Sequence, residues 1–383
     1  MEKDKITIAL LWPRYGGKVT SVNDLVLGLD KERFDIIFIY LSGHGVDKNF
    51  IEEAGYDVFY LSDKKRISSF RFSILSRLVT ILKERKVDII HCHRHKPTVY
   101  GAIAAAIAKT PVVMAHVHGL GRSRNSIRKL TNLLLFRRIN RLIAVANSVK
   151  EDVLRNNWFL SEEKLSVLEN SVDYKRFADT QIPQEHAKQL LGMPPRAFVF
   201  GTIARFGQYK GHNFLVEAFG KVKNEVPSAH LVLVGDGPLK GELQQQAAKA
   251  GIDQSVHFLG QRNDIPELLR AMDAFVLPSI GSEGMPRVIL EAMAAKVPCI
   301  GTKIGGTPEV IHNKNLGYLV PSKDSEALVQ AMISVINLPN EDREALTGKA
   351  QAQVQKFYSH DIVRAKLAKL YEDQYSFSKV AAK

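Results

Sequence analysis

The chain has 383 residues, of which 45% are hydrophobic and 24% are charged, and its formal net charge is +13. This length is sufficient for two domains of ordinary size, each with its own core. No apolar run reaches the ~18–20 residues that a membrane-spanning helix needs, and the charged N-terminus predicts no signal peptide. Cys92 and Cys299 lie far apart and form no redox or metal motif, so we expect two reduced, buried thiols.

Basic residues concentrate in one part of the chain. Between Tyr60 and Arg141 there are 18 Lys or Arg and three acidic residues, a local balance of +15. We therefore expect a basic first domain attached to a nearly neutral remainder. Such a surface suits an anionic membrane or an anionic acceptor. Nucleic acid would also suit the charge, but no nucleic-acid-binding module is visible, so we expect no nucleic-acid partner.

Short apolar runs alternate with segments of helical spacing from the N-terminus onward. We predict strands at residues 6–12, 34–41, 87–91, 111–115, 142–146 and 165–168. Helices are predicted at 19–29, 74–86 and 98–108, and a basic helix follows over 122–141. This alternation of buried strands with helices is typical of a doubly wound parallel sheet.

The same alternation restarts after a polar stretch near residue 180. We predict strands at 198–203, 230–234, 256–259, 274–277, 299–301 and 317–320, a helix over 285–295 and a C-terminal helix from 358. The sequence therefore predicts an α/β protein with an N-terminal domain over 1–180 and a C-terminal domain over 181–357. Ligands of open parallel sheets bind beyond the carboxyl ends of the strands, so we expect the functional residues there.

Two glutamates flank the predicted start of the 285–295 helix. The segment SEGMPRVILE, residues 282–291, places Glu283 in the preceding loop and Glu291 about two turns into the helix. Pro286 favours the first helical turn. Free N–H groups and the helix dipole at such a position favour a phosphate. One carboxylate can then face a reacting sugar while the other holds a ribose diol.

Four further segments accompany this pair: YGG at 15–17, NSVDYKRF at 170–177, FGTIARFGQYKG at 200–211 and GDGP at 235–238. Together with the spaced glutamates, they resemble the motifs of the retaining glycosyltransferases of family 4, including the E-x7-E motif of that family. The motifs span almost the whole chain and occur in the family's order. The resemblance implies the GT-B fold, in which two Rossmann-like doubly wound domains face each other across a cleft. It also implies that the C-terminal helix, 358–383, completes the first domain.

The resemblance implies a role for each matching residue. His118 would hydrogen-bond either a hydroxyl of the donor or the reacting centre, and Glu283 would orient the donor sugar and support the positive charge that develops at its anomeric carbon. Arg205 and Lys210 would neutralise the departing diphosphate without a metal. The donor would be held by Gly16, Gly17, Arg205, Lys210, Gly235, Gly284, Met285, Pro286, Arg287, Val288 and Glu291.

Five histidines lie near predicted strand ends: His91, His93, His95, His116 and His118. Their spacing of two makes a metal site conceivable. No carboxylate or Cys completes a recognisable ligand set, so we expect neither a metal nor another cofactor. The chain also lacks G-x-x-x-x-G-K-[ST] and G-x-G-x-x-G, which disfavours a P-loop ATPase and an ordinary dehydrogenase.

We therefore predict a retaining, metal-independent glycosyltransferase that moves a sugar from a UDP- or GDP-sugar to a glycan or lipid-linked acceptor. The enzyme would act in the biosynthesis of cell-envelope polysaccharide or lipopolysaccharide. The first domain would bind the acceptor and the second the donor, and closure of the cleft would exclude water. We expect a cytoplasmic protein, peripheral on the inner face of the cytoplasmic membrane. The alternatives are a non-hydrolysing sugar-nucleotide epimerase and a catalytically silent binding protein on the membrane surface.

Overall fold

The protein folds into two compact units in a computed structural model that describes residues 5–15, 21–43, 49–64, 67, 69–121 and 126–381. The first unit comprises Met1–Asn170 and His360–Lys383, and the second comprises Ser171–Ser359. Each unit has its own parallel sheet with helices around it. The predicted α/β class is therefore confirmed for both halves of the chain.

The first unit contains a seven-stranded sheet in the order β3-β2-β1-β4-β5-β6-β7, and every neighbouring pair is parallel. Its strands are β1 Ile6–Trp12, β2 Phe34–Tyr40, β3 Asp57–Tyr60, β4 Ile89–His93, β5 Val112–Val117, β6 Arg141–Ala144 and β7 Leu165–Val167. Its helices before residue 170 are α1 Ser21–Leu27, α2 Phe50–Glu53, α3 Phe72–Glu84, α4 His95–Ala108, α5 Ser126–Arg138 and α6 Asn147–Asn156.

The second unit contains a six-stranded parallel sheet in the order β10-β9-β8-β11-β12-β13, the strand order of a Rossmann fold. Its strands are β8 Phe198–Ile203, β9 Ala229–Val234, β10 Val256–Gly260, β11 Ala274–Leu277, β12 Cys299–Thr302 and β13 Tyr318–Val320. Its helices are α7 Tyr174–Ala178, α8 Gln184–Leu190, α9 His212–Glu225, α10 Lys240–Lys249, α11 Ile265–Ala271, α12 Arg287–Ala294, α13 Thr307–Val310, α14 Ser325–Ile336 and α15 Asn340–Tyr358.

The central strands are buried on both faces, which explains their continuous apolar sequence. In β1, Ile8 and Leu10 pack into one hydrophobic cluster, whereas Ala9 and Leu11 pack into another. Successive side chains of a strand point to opposite faces, so the two clusters lie on the two sides of the sheet. The C-terminal helix α16, His360–Ala381, contributes Val363, Leu367 and Tyr371 to the first of these clusters.

The boundary between the units lies at residue 170 rather than at the predicted residue 180. The intervening segment belongs to the second unit because Val172 pairs with Ser359 and Phe177 of α7 is buried. Ser359 has an extended backbone, so the helix predicted from 358 is interrupted there and α16 starts at His360.

Several predicted elements differ from the observed ones. β3 and α2 are not among the predicted elements, and the basic helix ends at Arg138, so that Arg141 opens β6. The helix predicted from residue 285 begins at Arg287 because Pro286 has an extended backbone with φ −77° and ψ 107°.

Two further observations concern the cysteines and the helices. Cys92 and Cys299 are free and buried, as predicted. Among the helices that the structure describes, none has the length and apolar character to cross a bilayer.

Candidate functional site

Four loops meet at the carboxyl edge of the second unit's sheet, after β8, β9, β11 and β12. Backbone hydrogen bonds join them: Phe206 N to Asp236 O at 3.0 Å, Ile280 N to Tyr209 O at 2.8 Å, and Gly306 N to Gly284 O at 2.5 Å. The segments identified from the sequence at 200–211, 235–238 and 282–291 therefore form one continuous surface. This is the edge at which open parallel sheets bind ligands.

Glycines allow these loops to pack closely. Gly235 has a φ of 139°, and a Cβ atom there would overlap the carbonyl oxygen of Ala204. Gly305 has a φ of 57°, and a Cβ atom there would overlap the carbonyl oxygen of Glu283. Both positions combine a left-handed backbone with a close backbone neighbour, so a larger residue would displace the loops. Gly235 thus keeps the loop after β9 against the loop that carries Arg205.

Glu283 is an acidic group of this surface with two close polar partners. Its side chain is 11% exposed, and one carboxylate oxygen accepts hydrogen bonds from Lys210 Nζ at 2.8 Å and Ser279 Oγ at 2.7 Å. Ser279 is fully buried. The preceding residue, Ser282, has a φ of 51°, which is uncommon for a residue other than glycine. The loop therefore holds a buried carboxylate in a fixed position by two charge-assisted or polar contacts.

Lys210 and Arg205 differ in their surroundings although the sequence suggested a shared role for them. The ammonium group of Lys210 forms an ion pair with Glu283 at 2.8 Å. A phosphate that approached Lys210 would compete with that carboxylate. Arg205 is exposed, and no ion pair connects it with another residue in the described parts of the chain. An anion could therefore approach Arg205 without displacing an ion-pair partner, whereas an anion at Lys210 would share its ammonium group with Glu283.

The N-terminus of α12 adds a second feature suited to an anion. Pro286 precedes the helix, and no side chain caps its first turn. Uncapped N–H groups in the first turn bind anions, aided by the helix dipole. Gly284, Met285 and Pro286 are buried beside this turn, and Val288 is half-buried. Glu291 lies on the same helix, where Arg287 Nη2 approaches its carboxylate to 3.7 Å.

A different cluster, the histidine cluster of His91, His93, His116 and His118, lies at the carboxyl ends of β4 and β5 in the first unit. His93 Nδ1 and His118 Nε2 are 3.1 Å apart, and His91 Nδ1 lies 2.8 Å from the hydroxyl of Tyr371 on α16. The rings of His116 and His118 stack at 4.4 Å. Gly16 and Gly17, which the sequence also assigned to the site, lie outside the described residues.

Three members of the histidine cluster could hold a metal ion, since ligand nitrogens of His91, His93 and His116 lie within 4.8 Å of one another. The rings of His91 and His116 are stacked and parallel within 5°. No carboxylate or Cys belongs to this group of ligands. The expectation that the protein uses no metal remains a prediction.

Three buried members of the cluster, His91, His93 and His116, have lowered pKa values. Burial, together with the neighbouring His118, lowers the pKa of His91 from its ordinary value of 6.5 to about 3. Burial also holds the pKa values of His93 and His116 well below 6.5, with smaller contributions from the adjacent histidines. All three imidazoles are therefore uncharged at neutral pH.

We expect this burial to make the first unit sensitive to acid. Above pH 6.5 the three histidines are neutral in both the folded and the unfolded chain, and their contribution to stability is complete. Below pH 6.5 only the unfolded chain takes up protons, so each histidine removes up to ~1.4 kcal/mol of stability per pH unit. Denaturant unfolding at pH 7.5, 6.5 and 5.5 measures the effect through tryptophan fluorescence. Both tryptophans, Trp12 and Trp158, lie in the first unit.

The His116→Gln variant provides the control for this prediction. Its stability at pH 7.5 will differ from that of the unaltered protein, but its loss between pH 6.5 and 5.5 should be smaller by about 1 kcal/mol. An equal loss in both proteins would show that His116 does not remain neutral in the folded state.

Sequence reasoning did not identify three residues that complete these sites: Ser279, Trp12 and Tyr371. Ser279 follows β11 by two residues, so the rule that ligands bind beyond strand ends could have found it. Trp12 ends β1 and stacks on His93 with ring centroids 3.9 Å apart. Tyr371 approaches His91 from 280 residues away in sequence, a contact that no local pattern indicates.

Comparisons with known proteins identify the family of the chain. The protein-family model described as Glycosyltransferase Family 4 matches residues 15–176. The model described as Glycosyl transferases group 1 matches residues 183–353. The first match lies largely in the first unit and the second lies within the second unit.

Two bacterial relatives match most of the chain. The UDP-Gal:alpha-D-GlcNAc-diphosphoundecaprenol alpha-1,3-galactosyltransferase of Escherichia coli is 31% identical over 344 residues, which are 87% of this chain and 88% of that protein. The N,N'-diacetylbacillosaminyl-diphospho-undecaprenol alpha-1,3-N-acetylgalactosaminyltransferase of Campylobacter jejuni is 30% identical over 312 residues, 77% of this chain and 79% of that protein.

A solved structure supports the same assignment at the level of the fold. The crystal structure of Anabaena HepE in complex with UDP has a TM-score of 0.84 at 23% identity, with 96% of this chain and 100% of that chain covered. Its likeness extends over both units and confirms the predicted GT-B fold. The chain therefore belongs to the family 4 glycosyltransferases of the GT-B fold.

Proposed function

We propose that this protein is a retaining, metal-independent glycosyltransferase of bacterial cell-surface glycan synthesis. Its donor is a UDP-sugar and its acceptor is a lipid-linked glycan. The observation that carries the proposal is the contact of Lys210 with the buried Glu283 beside the uncapped start of α12. A cation, a carboxylate and an anion-binding helix start are the groups that a nucleotide-diphosphate sugar requires.

The diphosphate is the part of the donor that this site suits best. Arg205 is available to an anion, Lys210 can move its ammonium group from Glu283 to a phosphate oxygen, and the first turn of α12 supplies N–H groups. Preorganised donors of this kind stabilise negative charge as it develops on the leaving group. They perform the task that a divalent cation performs in other enzymes. Glu291 on α12 holds the ribose.

Glu283 then acts at the sugar end of the donor. The bond between the anomeric carbon and the diphosphate oxygen breaks, and the electron pair leaves with the diphosphate. Glu283 supports the positive charge at the anomeric carbon, and His118 hydrogen-bonds a sugar hydroxyl. The acceptor hydroxyl forms the new bond on the same face, and its proton passes to the departing phosphate oxygen. The configuration at the anomeric carbon is thereby retained.

The names of the relatives favour a uridine donor and a lipid-linked acceptor. The E. coli relative is named for UDP-Gal and a diphosphoundecaprenol acceptor, and HepE is solved with UDP. The C. jejuni relative is also named for a diphospho-undecaprenol acceptor. Polyprenyl diphosphates reside in a membrane, so an enzyme that uses them benefits from a surface that binds anionic lipid.

One surface of the first unit has the character that membrane binding needs. We define the α5 surface as Lys129, Leu130, Leu134, Arg137 and Trp158. Leu130 and Leu134 are 66% and 65% exposed, and Trp158 is 88% exposed. Trp158 follows Asn157, whose side-chain oxygen accepts a hydrogen bond from Asn132 of α5 at 3.0 Å. Trp158 therefore lies close to α5. Exposed cations, leucines and a tryptophan are the residues of interfacial anchors.

The proposal predicts salt-sensitive binding to anionic vesicles. At low salt the protein should sediment with vesicles that contain phosphatidylglycerol, and the fluorescence of Trp158 should shift to the blue. Exposed charges are screened beyond ~8–10 Å at physiological ionic strength, so added salt should release the protein. Vesicles of phosphatidylcholine alone provide the comparison.

A matched pair of variants locates the binding surface. Leu134→Ser should weaken sedimentation, whereas Leu190→Ser, at a leucine of the second unit that is 62% exposed, should not. Binding that ignores lipid charge, or equal effects of the two substitutions, would favour an acceptor in solution.

A donor screen tests the proposed reaction. We expect UDP, and a UDP-sugar, to raise the unfolding temperature in the presence of EDTA, with GDP and its sugars as comparison. Incubation with the bound donor alone should leave that sugar unchanged. An epimerised donor would identify a sugar-nucleotide epimerase, and the absence of any nucleotide binding would favour a silent membrane-surface protein.

A further inference from the structure

His93 has the surroundings of a residue that orients another side chain. It ends β4, is fully buried, and its Nδ1 atom lies 3.1 Å from His118 Nε2. Trp12 stacks on its ring at 3.9 Å and within 2° of parallel. The stacked ring restricts rotation of the imidazole, so the contact with His118 is held in place.

The protons of this histidine pair can be assigned by elimination. A neutral imidazole carries one N–H donor and one lone pair. If His118 donated to His93, the only proton of His93 would lie on Nε2. That atom is buried and has no hydrogen-bond partner among the described residues. Among backbone groups, a buried N–H without an acceptor is rarer than a buried acceptor without a full set of donors, and we apply the same preference to the imidazole. By this preference we assign His93 Nδ1–H as the donor and His118 Nε2 as the acceptor.

This direction of donation fixes the tautomer of His118. Its Nε2 atom accepts the hydrogen bond, so the proton of the neutral ring lies on Nδ1. We infer that His93 is a positioning residue that holds His118 in the Nδ1–H tautomer and makes it a hydrogen-bond donor to an oxygen of the transferred sugar. The contact with the sugar rests on the proposed function, whereas the tautomer is a property of the protein alone.

Nitrogen NMR of protein labelled with 15N-histidine tests the tautomer directly. In the full-length protein near pH 7.5, long-range proton–nitrogen correlations should show His118 with its proton on Nδ1. In His93→Leu the preference of His118 for a proton on Nδ1 should disappear. In His93→Asn it should return, because the amide nitrogen of Asn lies near the position of Nδ1 and can donate in its place. His91→Leu is the matched control, since His91 is equally buried but contacts Tyr371.

Kinetics test the consequence for transfer. Misplaced catalytic contacts cost ~10- to 100-fold in rate, so kcat of His93→Leu should fall by about that factor while UDP affinity stays unchanged. His93→Asn should recover most of the loss. A merely structural role for His93 would predict similar losses for His93→Leu and His91→Leu and no recovery by Asn.

The outcomes are distinct. His118 protonated on Nε2, or an unchanged tautomer in His93→Leu, overturns the inference. One tightly held metal ion per chain in the protein as purified, lost in His93→Leu, also overturns it and identifies a metal site. The correct tautomer in a protein that transfers no sugar leaves the inference intact and contradicts the proposed function instead.

Discussion

Arg205→Ala should lower kcat at least ~100-fold, the loss expected when a preorganised stabiliser of transition-state charge is removed. Arg205 is exposed and makes no ion pair with another described residue, so the unfolding temperature should not change. The same assay in EDTA should give the same rate for the unaltered protein. Steady-state kinetics with and without EDTA, combined with thermal unfolding, measures all three expectations.

Lys210 requires a different design because it has two partners in the account. Lys210→Ala should also lower kcat at least ~100-fold, but it leaves the buried Glu283 without its cation and should destabilise the fold. Lys210→Met combined with Glu283→Gln removes both charges and should recover stability without recovering activity. If chelation abolishes turnover of the unaltered protein, or if Arg205→Ala retains full activity, the cations do not replace a metal.

Glu283→Gln and Glu291→Gln should affect different steps. In the proposed mechanism Glu283 acts where charge develops at the sugar, so its substitution should mainly lower kcat. In the proposed mechanism Glu291 holds the ribose before and during the reaction, so its substitution should mainly weaken the binding of UDP and of the donor. The product UDP has no sugar for Glu283 to contact, and its affinity should barely change in Glu283→Gln. Calorimetry measures the UDP affinity of each variant, and steady-state kinetics measures its kcat.

The contact between Glu283 and Lys210 affects the UDP affinity that we expect for Glu283→Gln. In Glu283→Gln the ammonium group of Lys210 no longer has a carboxylate partner and is available to the phosphates. A small gain in UDP affinity is therefore compatible with the account. Loss of UDP affinity in Glu283→Gln, together with normal affinity in Glu291→Gln, would reverse the two roles.

The sequence predicted most of the fold because parallel sheets have a strong local signature. Strands buried on both faces are short apolar runs, and the predicted β1 at 6–12 has the observed bounds. β3 was not predicted because it is partly exposed at the edge of its sheet and follows the very short α2. The start of α12 was placed two residues too early because Pro286 is compatible with both a first helical turn and an extended residue.

The sequence also placed Arg205, Lys210, Gly235 and Glu283 in loops that the structure brings together, but it did not reveal their contacts. Lys210 and Glu283 are 73 positions apart and meet only because the loops after β8 and β11 share one edge of the sheet. The motifs identified Lys210 and Glu283 separately. The predicted phosphate role of Lys210 was therefore independent of the predicted sugar role of Glu283. The pairing of Trp12 with His93 arises in the same way, across neighbouring strands β1 and β4.

The most direct test of the account is an NMR time course of transfer in EDTA, with the UDP-sugar and lipid-diphosphate acceptor that the screens identify. It follows the donor, the product and the anomeric configuration in one sample. The proposed mechanism predicts that the sugar is transferred without added metal and that an α-linked donor gives an α-linked product. A β-linked product, or transfer only after addition of Mg²⁺, would contradict the retaining, metal-independent mechanism assigned to Arg205, Lys210 and Glu283.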